Sequence, residues 1–202
     1  MIKRQAETFL PTKWGDFRMI AYSEKETYRP HLAMVGSNFD PSKPVIVRIH
    51  SECITGDLFG SKRCDCGEQL EAALRKCATD GGVIVYMRQE GRGIGIINKM
   101  RAYNLQDKGL NTLEANLHLG FDGDLRSYEE AIEILKDLGI KQIQLVTNNP
   151  DKILAFDNSG IEVVKRVPIQ IPPSEENIDY LITKEKEMGH LLNLDKSKDL
   201  KD

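Results

Sequence analysis

Three cysteines, Cys53, Cys64 and Cys66, lie in the segment IHSECITGDLFGSKRCDCGEQ with the spacing C-x10-C-x-C. Three thiolates are enough to hold a zinc ion and leave its fourth tetrahedral position open, which distinguishes catalytic zinc sites from closed structural ones. Zinc with an open position activates water, so the segment predicts a catalytic metal site.

The surroundings of the cysteines distinguish a metal-binding role from a core role. A single free cysteine is most often a small buried apolar residue. Cys64 and Cys66, however, lie in the polar, glycine-containing stretch RCDCGEQ, which is not typical of a core strand or a core helix. Cys77 differs, because it shares a helical apolar phase with Leu70 and Leu74. We therefore predict metal binding for the first three cysteines and a core position for Cys77.

Composition limits the class of protein. With 202 residues, 40% hydrophobic and 29% charged, the chain should form one large globular domain or at most two small ones. No apolar stretch is long enough to span a bilayer, and the N-terminal MIKRQAETFL lacks the features of a signal peptide. We therefore expect a cytoplasmic protein, in which cysteines serve metal binding or catalysis rather than disulfides. The net charge of −3 provides no general attraction for nucleic acid.

The hydrophobic pattern predicts a mixed α/β (α+β) fold in a single compact domain. The first fifty residues are β-rich, with short apolar or alternating runs at 17–22, 32–36 and 45–50. From residue 68 onward, helical and strand patterns alternate. Ser127 and Glu130 fit a capping box at the start of one helix, and Ser174 is placed as the cap of the last. We assign residues 1–192 to the domain and 193–202 to a charged, disordered tail.

Two strand-to-helix junctions lie where ligands often bind. The stretch RQEGRGIG, residues 88–95, brings glycines and arginines to a helix start, where backbone N–H groups can face a phosphate. Arginine offers a bidentate fork for phosphate, and Glu90 can accept from N–H donors such as those of guanine. The stretch VTNNPDK, residues 146–152, places Thr147 and Lys152 similarly. The alternatives are a plain loop for the first stretch and exposed turn residues for the second.

The strings RIHSEC, RCDCGEQLEAAL, YMRQEGRGIGIINKMRAYNLQD, TNNP and MGHLL together resemble GTP cyclohydrolase II, a family of zinc enzymes that begin riboflavin synthesis. The resemblance runs in order from Leu10 to Leu192 and covers nearly the whole chain. The joint presence of the cysteine triplet and RQEGRGIG makes it specific. The family's frequent fusion partner, a dihydroxybutanone-phosphate synthase domain, has no room here, so we expect the stand-alone form.

The resemblance implies zinc-dependent hydrolysis of GTP, in which C8 leaves as formate and the triphosphate loses pyrophosphate. The product would be 2,5-diamino-6-hydroxy-4-(5-phosphoribosylamino)pyrimidine, formed in the first step of riboflavin biosynthesis. The residues agree with this chemistry, since water activated by zinc can attack an sp2 carbon between two nitrogens, as in nucleobase deaminases. Three thiolates should leave zinc a weaker Lewis acid than three imidazoles would, so a separate proton acceptor and donor would help.

The resemblance also assigns catalytic roles to single residues. The three cysteines match the ligands of one zinc ion per subunit, and Tyr103 matches a tyrosine that assists at the ring. Asp124 matches the proposed proton acceptor and Arg126 the proposed nucleophile toward the α-phosphate. A guanidinium stays protonated, so without the resemblance we would assign Arg126 to charge stabilisation. A solvated turn is the plainer interpretation of both residues. Tyrosine at position 103 favours the complete reaction over one that retains the formyl group.

Contacts with GTP carry over, by resemblance, to Arg48, Ile49, His50, Ser51, Glu52, Gln69, Glu90, Gly91, Arg92, Thr112, Thr147 and Lys152. Glutamate and glutamine suit the guanine edge, whereas arginine, threonine and lysine suit phosphates. We expect Mg²⁺ on the triphosphate. His50 as a fourth zinc ligand would remove the catalytic water, so we treat it as substrate-side or structural. We expect the other histidines to be surface or hydrogen-bonded core residues. The family also implies a homodimer.

Two other classes of protein share part of this pattern. A guanine-nucleotide-binding regulator that has lost turnover would keep nearly every motif, and it would bind GTP without forming product. A structural-zinc interaction module would need a fourth protein ligand and would have no affinity for GTP. The acidic pI of about 5.9 disfavours a nucleic-acid-binding version of that module.

Overall fold

The computed structural model describes residues 2–121, 124–192 and 194. The strands are β1 Lys3–Thr12, β2 Gly15–Ser23, β3 His31–Gly36, β4 Val45–Ser51, β5 Val83–Met87, β6 Gln142–Val146 and β7 Glu162–Val167. The helices are α1 Ile54–Asp57, α2 Cys66–Asp80, α3 Gly95–Gln106, α4 Thr112–His118, α5 Glu129–Asp137, α6 Pro150–Leu154 and α7 Ile178–Lys186. A short 3-10 helix spans Glu90–Gly93. The prediction of a mixed α/β fold is confirmed.

The described strands form one mixed sheet with the order β1-β2-β3-β5-β4-β6-β7. Antiparallel pairing joins β1 to β2, β2 to β3, and β3 to β5. Parallel pairing joins β4 to β6 and β6 to β7. Because parallel strands end at the same edge of a sheet, the segments that follow β4 and β6 leave the sheet side by side. Ligands of α/β proteins often bind at such an edge.

Side chains alternate between the two faces of the sheet, as the two-residue period of a strand requires. On β5, Val83 belongs to one apolar cluster and Ile84 to the other. Ile134 of α5 packs in the first cluster, whereas Leu74 and Cys77 of α2 pack in the second. Helices therefore cover both faces of the sheet. Cys77 is fully buried, which confirms its predicted core position.

The chain divides into two compact units. The first unit comprises Met1–His50, Leu70–Arg88 and Ser127–Ile169, and it contains nearly the whole sheet. The second comprises Ser51–Gln69, Gln89–Arg126 and Gln170–Asp202, and it contains α1, α3, α4 and α7. The predicted boundaries at residues 1–192 and 193–202 stay predictions, and the tail lies outside the described residues except for Leu194. No described helix combines the length and apolar character that crossing a bilayer requires.

The start of α5 differs from its prediction. The helix begins at Glu129, and its N-cap residue is Tyr128, whose side chain makes no capping hydrogen bond. The hydroxyl of Ser127 instead accepts from the backbone N–H of Glu129 at 3.3 Å. A capping box would require that hydroxyl to accept from Glu130, three residues on. The predicted capping box is therefore wrong, because Ser127 lies one residue before the cap.

The last helix also starts later than predicted. Asn177 is the N-cap residue of α7, and Ser174 lies in the preceding turn, where its N–H donates to Asn177 Oδ1 at 2.9 Å. Ser174 is therefore not the cap. A complete capping box occurs at α4 instead, between Asn111 and Glu114. None of the predicted helices corresponds to α4.

Candidate functional site

The three predicted cysteines converge in the second unit. Cys53 is the N-cap residue of α1, Cys64 lies in the turn before α2, and Cys66 is the first residue of α2. Their sulfur atoms all lie within 4.8 Å of one another, and the Sγ atoms of Cys53 and Cys64 are 3.6 Å apart. Cys53 and Cys64 are buried and Cys66 is half-buried. The segment therefore folds back on itself and brings the three sulfur atoms together.

This geometry fits a tetrahedral zinc ion. With Zn–S bonds of about 2.3 Å, two sulfurs of a tetrahedral site lie ~3.8 Å apart. The observed 3.6 Å between Cys53 and Cys64 is close to that value. Among the described residues, this cluster contains the three cysteines and no fourth His, Asp or Glu ligand. Thiolates favour zinc over magnesium or calcium. The residues present therefore fit a zinc ion with one open coordination position.

Two glycines allow the cysteine segment to fold this tightly. A Cβ atom on Gly56 would lie 3.0 Å from the Sγ of Cys64 and 3.0 Å from the Cβ of Cys66. A Cβ atom on Gly67 would lie 2.3 Å from the carbonyl oxygen of Gly56. Because that oxygen belongs to the backbone, any side chain at position 67 would force α1 and the start of α2 apart.

Lys99 of α3 is a site residue that the sequence analysis missed. Its Nζ atom donates to Cys53 Sγ at 3.0 Å, to Thr55 Oγ1 at 3.0 Å and to Glu90 Oε1 at 2.8 Å. Burial would lower the pKa of Lys99, but the charge of Cys53 and the hydrogen bonds to Glu90 and Cys53 outweigh it and raise the pKa. Lys99 therefore carries a positive charge. The available signal was its spacing from Tyr103, since residues four apart share a helix face.

Glu90 connects the glycine-rich stretch to the cysteine segment. Its side chain is buried, with 1% exposed. Besides the bond from Lys99, its Oε1 atom accepts from the N–H of Gly91 at 2.8 Å, and its Oε2 atom accepts from the N–H of Ile54 at 2.6 Å. Both carboxylate oxygens therefore already accept protein donors. A carboxylate offers about four acceptor positions, so capacity for a guanine N–H remains.

Tyr103 lies beside the same cluster. Its hydroxyl is 3.3 Å from Thr55 Oγ1, and Thr55 Oγ1 is 3.6 Å from Cys53 Sγ. The guanidinium of Arg63 lies 4.9 Å from the centre of the Tyr103 ring. Burial raises the pKa of Tyr103 above its ordinary value. The phenol therefore stays protonated at neutral pH, and it can donate a hydrogen bond close to the thiolates.

A buried ion pair holds the other end of the cysteine segment. Asp65 Oδ1 accepts from Lys184 Nζ of α7 at 2.9 Å, and Asp65 Oδ2 accepts from Gln69 Nε2 at 2.5 Å. The Lys184 ammonium also lies 4.3 Å from the centre of the Tyr180 ring. Burial would raise the pKa of Asp65, but Lys184 outweighs it and the pKa is lowered. Gln69, a predicted GTP contact, is therefore positioned by this pair. Lys184 had no signal in the local sequence.

The glycine-rich stretch has an unusual backbone. Gly91, Gly93 and Gly95 have φ values of 62°, 92° and 79°, and Arg92 between them has a φ of 60°. A left-handed conformation costs a residue with a side chain roughly 1–2 kcal/mol, so this strain marks Arg92 as a functional candidate. The backbone oxygen of Arg92 accepts from the N–H of Leu125 at 3.1 Å. Its Nη1 atom is buried and has no hydrogen-bond partner among the described residues.

Asp124 and Arg126, the two predicted catalytic residues of this segment, bind each other. Arg126 Nε donates to both carboxylate oxygens of Asp124, at 2.8 and 3.0 Å, and Nη2 donates to Oδ2. Their side chains are 25% and 13% exposed. Burial would raise the pKa of Asp124, but the bonds and charge of Arg126 outweigh it and lower the pKa. Asp124 is therefore an ionised carboxylate.

A second group of predicted residues lies in the first unit, at the ends of β4 and β6. Lys152 Nζ donates to the carbonyl oxygen of Ile49 at 2.7 Å, and Arg48 Nη1 donates to the carbonyl oxygen of Val146 at 3.1 Å. Thr147 follows β6 directly and is buried. The structure therefore brings Arg48, Ile49, Thr147 and Lys152 together at the sheet edge where ligands often bind.

The remaining predicted contacts are placed as follows. His50 is buried in the first unit and stacks on Tyr86, with ring centres 5.6 Å apart. In the second unit, Ser51 Oγ accepts from Gln89 Nε2 at 3.1 Å, and Glu52 is buried. Thr112 is the first residue of α4 and is half-buried.

The other histidines are surface residues or have hydrogen-bond partners, as predicted. His31 Nδ1 accepts from the N–H of Arg88 at 3.0 Å, and His31 Nε2 lies 2.7 Å from Glu130 Oε2. His118 is exposed. His190 Nδ1 lies 3.3 Å from the carbonyl oxygen of Met188. Burial and the nearby charge of Lys184 lower the pKa of His190 to about 4.

The fold and the cluster define a class: a mixed α/β protein with a three-cysteine cluster that could hold a metal ion. The model of the GTP cyclohydrolase II family matches residues 3–168. The chain therefore belongs to the GTP cyclohydrolase II family.

Two curated relatives, both named RibBA, agree with this family assignment. The riboflavin biosynthesis protein RibBA of Bacillus cereus is 53% identical over 195 residues, which are 96% of this chain and 49% of that protein. RibBA of Bacillus mycoides shows the same identity and coverage. The chain therefore spans about half the length of these curated relatives. A solved two-domain 3,4-dihydroxy-2-butanone 4-phosphate synthase, RibBX of A. baumannii, has a TM-score of 0.45 and 21% identity, covering 83% of this chain and 40% of that one.

Proposed function

We propose that the protein hydrolyses GTP, opening the imidazole ring with release of formate and pyrophosphate. The product would be 2,5-diamino-6-hydroxy-4-(5-phosphoribosylamino)pyrimidine, in the first step of riboflavin biosynthesis. The observation that carries the proposal is the three-thiolate cluster with no fourth protein ligand among the described residues, in a chain of this family. When bound by Cys53, Cys64 and Cys66, zinc supplies a Lewis acid that activates water at neutral pH.

The residues beside the cluster suit chemistry at the guanine ring. Tyr103 keeps its proton at neutral pH, so it can donate to a ring nitrogen as the C–N bond opens. Gln69 is held in place by Asp65, and it can present its amide to the guanine edge. Glu90 can accept a guanine N–H at its remaining acceptor position. Such polar contacts should discriminate strongly between guanine and other bases, because a base without the matching group would leave the buried polar groups of the protein unpaired.

Asp124, Arg126 and Arg92 suit chemistry at the triphosphate. Phosphate oxygens would compete with Asp124 for the guanidinium of Arg126, and that exchange would free Asp124 to accept a proton. We assign Arg126 to charge stabilisation rather than nucleophilic attack, because a guanidinium keeps its proton. Arg92 has a buried Nη1 atom without a partner among the described residues, and a phosphate oxygen would supply the missing acceptor.

The proposal includes further contacts and conditions that carry over from the family. GTP would also contact Arg48, Ile49, His50, Ser51, Glu52, Gly91, Thr112, Thr147 and Lys152. Mg²⁺ would accompany the triphosphate, whose charge it neutralises. The protein would act in the cytoplasm as a homodimer with one zinc ion per subunit.

The test is to incubate the zinc-loaded protein with GTP and magnesium, and to identify the products by mass spectrometry with separate assays for formate and pyrophosphate. The proposal expects the diaminopyrimidine, formate and pyrophosphate together. Pyrophosphate with a retained formyl group would indicate a shortened reaction. If the protein binds zinc and GTP but returns GTP unchanged, a regulatory binding role would replace the proposal.

A further inference from the structure

Lys99 places a positive charge directly against the cysteine cluster. Its Nζ atom is 3.0 Å from Cys53 Sγ, and its side chain is only 12% exposed. A zinc ion with three thiolates carries one net negative charge. Buried charges are costly unless an opposite charge and hydrogen-bond donors lie nearby. Lys99 supplies both to the cysteine segment.

The ammonium of Lys99 is held in one orientation. It has three N–H donors, and Cys53, Thr55 and Glu90 provide three acceptors at 3.0 Å or less. A group whose donors are all engaged by the protein is suited to fixing its neighbours. It is not suited to delivering a proton to the substrate.

Glu90 connects this network to the glycine-rich stretch and makes a further bond to the cysteine segment. It accepts from the N–H of Gly91 in the glycine-rich stretch and from the N–H of Ile54, the residue after Cys53. Cys53 and Glu90 both lie within 3.0 Å of the same nitrogen atom of Lys99. Without Lys99, two negative groups would face each other inside the protein with no cation between them.

We propose that Lys99 is a positioning residue of the metal site, which fixes Cys53 against Glu90 and draws electron density from the Cys53 sulfur. A thiolate that accepts a hydrogen bond donates less charge to its metal, so the bound zinc keeps Lewis acidity that three thiolates would otherwise reduce. The proposal rests on the metal binding within the proposed function and not on the fate of GTP. Partners of metal ligands commonly contribute in this way.

The test uses the full-length protein with Lys99→Met, and Lys62→Met as the matched control. Lys62 lies in the cysteine segment, but its side chain is 77% exposed. Zinc affinity is measured by competition with a chelator, and cobalt is bound in place of zinc to record the thiolate-to-metal charge-transfer absorption. Loss of an outer partner typically weakens metal binding about 10–100-fold. We expect that loss for Lys99→Met, with the charge-transfer band moved to longer wavelength, and no change for Lys62→Met.

Two more variants keep the test decisive. Lys99→Arg, which retains the charge and the donors, should restore most of the affinity. Lys99→Gln retains a donor but no charge, and it should bind zinc more weakly even if the methionine variant does not fold. A folded Lys99→Met or Lys99→Gln protein with unchanged zinc affinity and an unchanged cobalt spectrum would overturn the proposal. If the unsubstituted protein bound no zinc, the metal site of the proposed function would fail as well.

Discussion

Replacing Lys184 by methionine removes the positive half of the buried ion pair between α7 and the cysteine segment. Lys184 and Asp65 have side chains that are 11% and 2% exposed, and their charged atoms are 2.9 Å apart. After the substitution, the carboxylate of Asp65 would stay buried next to Gln69 without its cation. Removing one partner of a buried pair costs about 3–5 kcal/mol. The zinc-bound protein should lose that much of its free energy of unfolding.

The expected change is large enough to measure by thermal unfolding followed by circular dichroism. For a chain of this size, 1 kcal/mol corresponds to a shift in Tm of about 2–4 °C, so Lys184→Met should lower Tm by about 6–20 °C. The zinc concentration must be the same for every variant, because zinc binding itself stabilises the folded state. Less zinc should also remain bound after dialysis, since Asp65 lies between two of the cysteines.

The chain offers a matched control. Lys62 and Glu176 also join the cysteine segment to the C-terminal part, with their charged atoms 3.2 Å apart, but their side chains are 77% and 48% exposed. A surface pair contributes about 0–1 kcal/mol, so Lys62→Met should leave Tm nearly unchanged. The double variant Asp65→Asn, Lys184→Met should lose less than the sum of the single variants. If Lys184→Met lowered Tm no more than Lys62→Met does, or if the losses of the two single variants were strictly additive, the buried pair of Asp65 and Lys184 would not stabilise the protein.

Three further predictions concern single groups. Burial raises the pKa of Cys77 to about 12, so iodoacetamide at pH 7 should leave Cys77 unmodified in the native protein and label it only in denaturant, as peptide mass spectrometry can verify. The pKa of His190 is about 4 in the folded protein, below its unfolded value of about 6.5. Because the unfolded protein binds this proton more readily, the free energy of unfolding is at its full value above pH ~6.5 and decreases as the pH falls toward 4. Urea titrations at a series of pH values should show this decrease in the free energy of unfolding, and His190→Leu should make the decrease smaller. Asp124→Asn should slow formate release about 100-fold or more without loss of zinc. Asp107→Asn, which removes the acid of an exposed ion pair, should not slow formate release. If the two variants released formate at equal rates, Asp124 would not have the proposed role.

The parts of the fold that sequence predicted are those with strong local patterns. Short apolar or alternating runs mark β2, β3 and β4 in the sequence, and β4 is buried along most of its length. The apolar period of α2 appears because the helix buries one face. The strand β1 was missed because most of its residues are exposed, so it has no apolar face. Backbone pairing with β2 holds it in the sheet. The helix α4 was missed although its capping box, Asn111 and Glu114, is visible in the sequence.

The metal cluster could be predicted because its three cysteines lie within one short segment. The residues that hold the cluster in place could not be predicted, because they come from distant parts of the chain. Lys99 is 46 residues from Cys53, and Lys184 is 119 residues from Asp65. The spacing of Lys99 from Tyr103 places both on one helix face, but the local sequence of a lysine does not show which buried acid or thiolate it will contact. The contact between Gly56 and Gly67 likewise depends on how the two helices approach, which no local pattern records.

The catalytic metal site is tested most directly by measuring formate release from GTP as zinc is added back to metal-free protein. We predict no formate from the metal-free protein, and a linear rise in formate release that ends at one zinc ion per chain. Formate release that does not depend on zinc would contradict the catalytic metal site. Zinc saturation without any formate would contradict the proposed reaction.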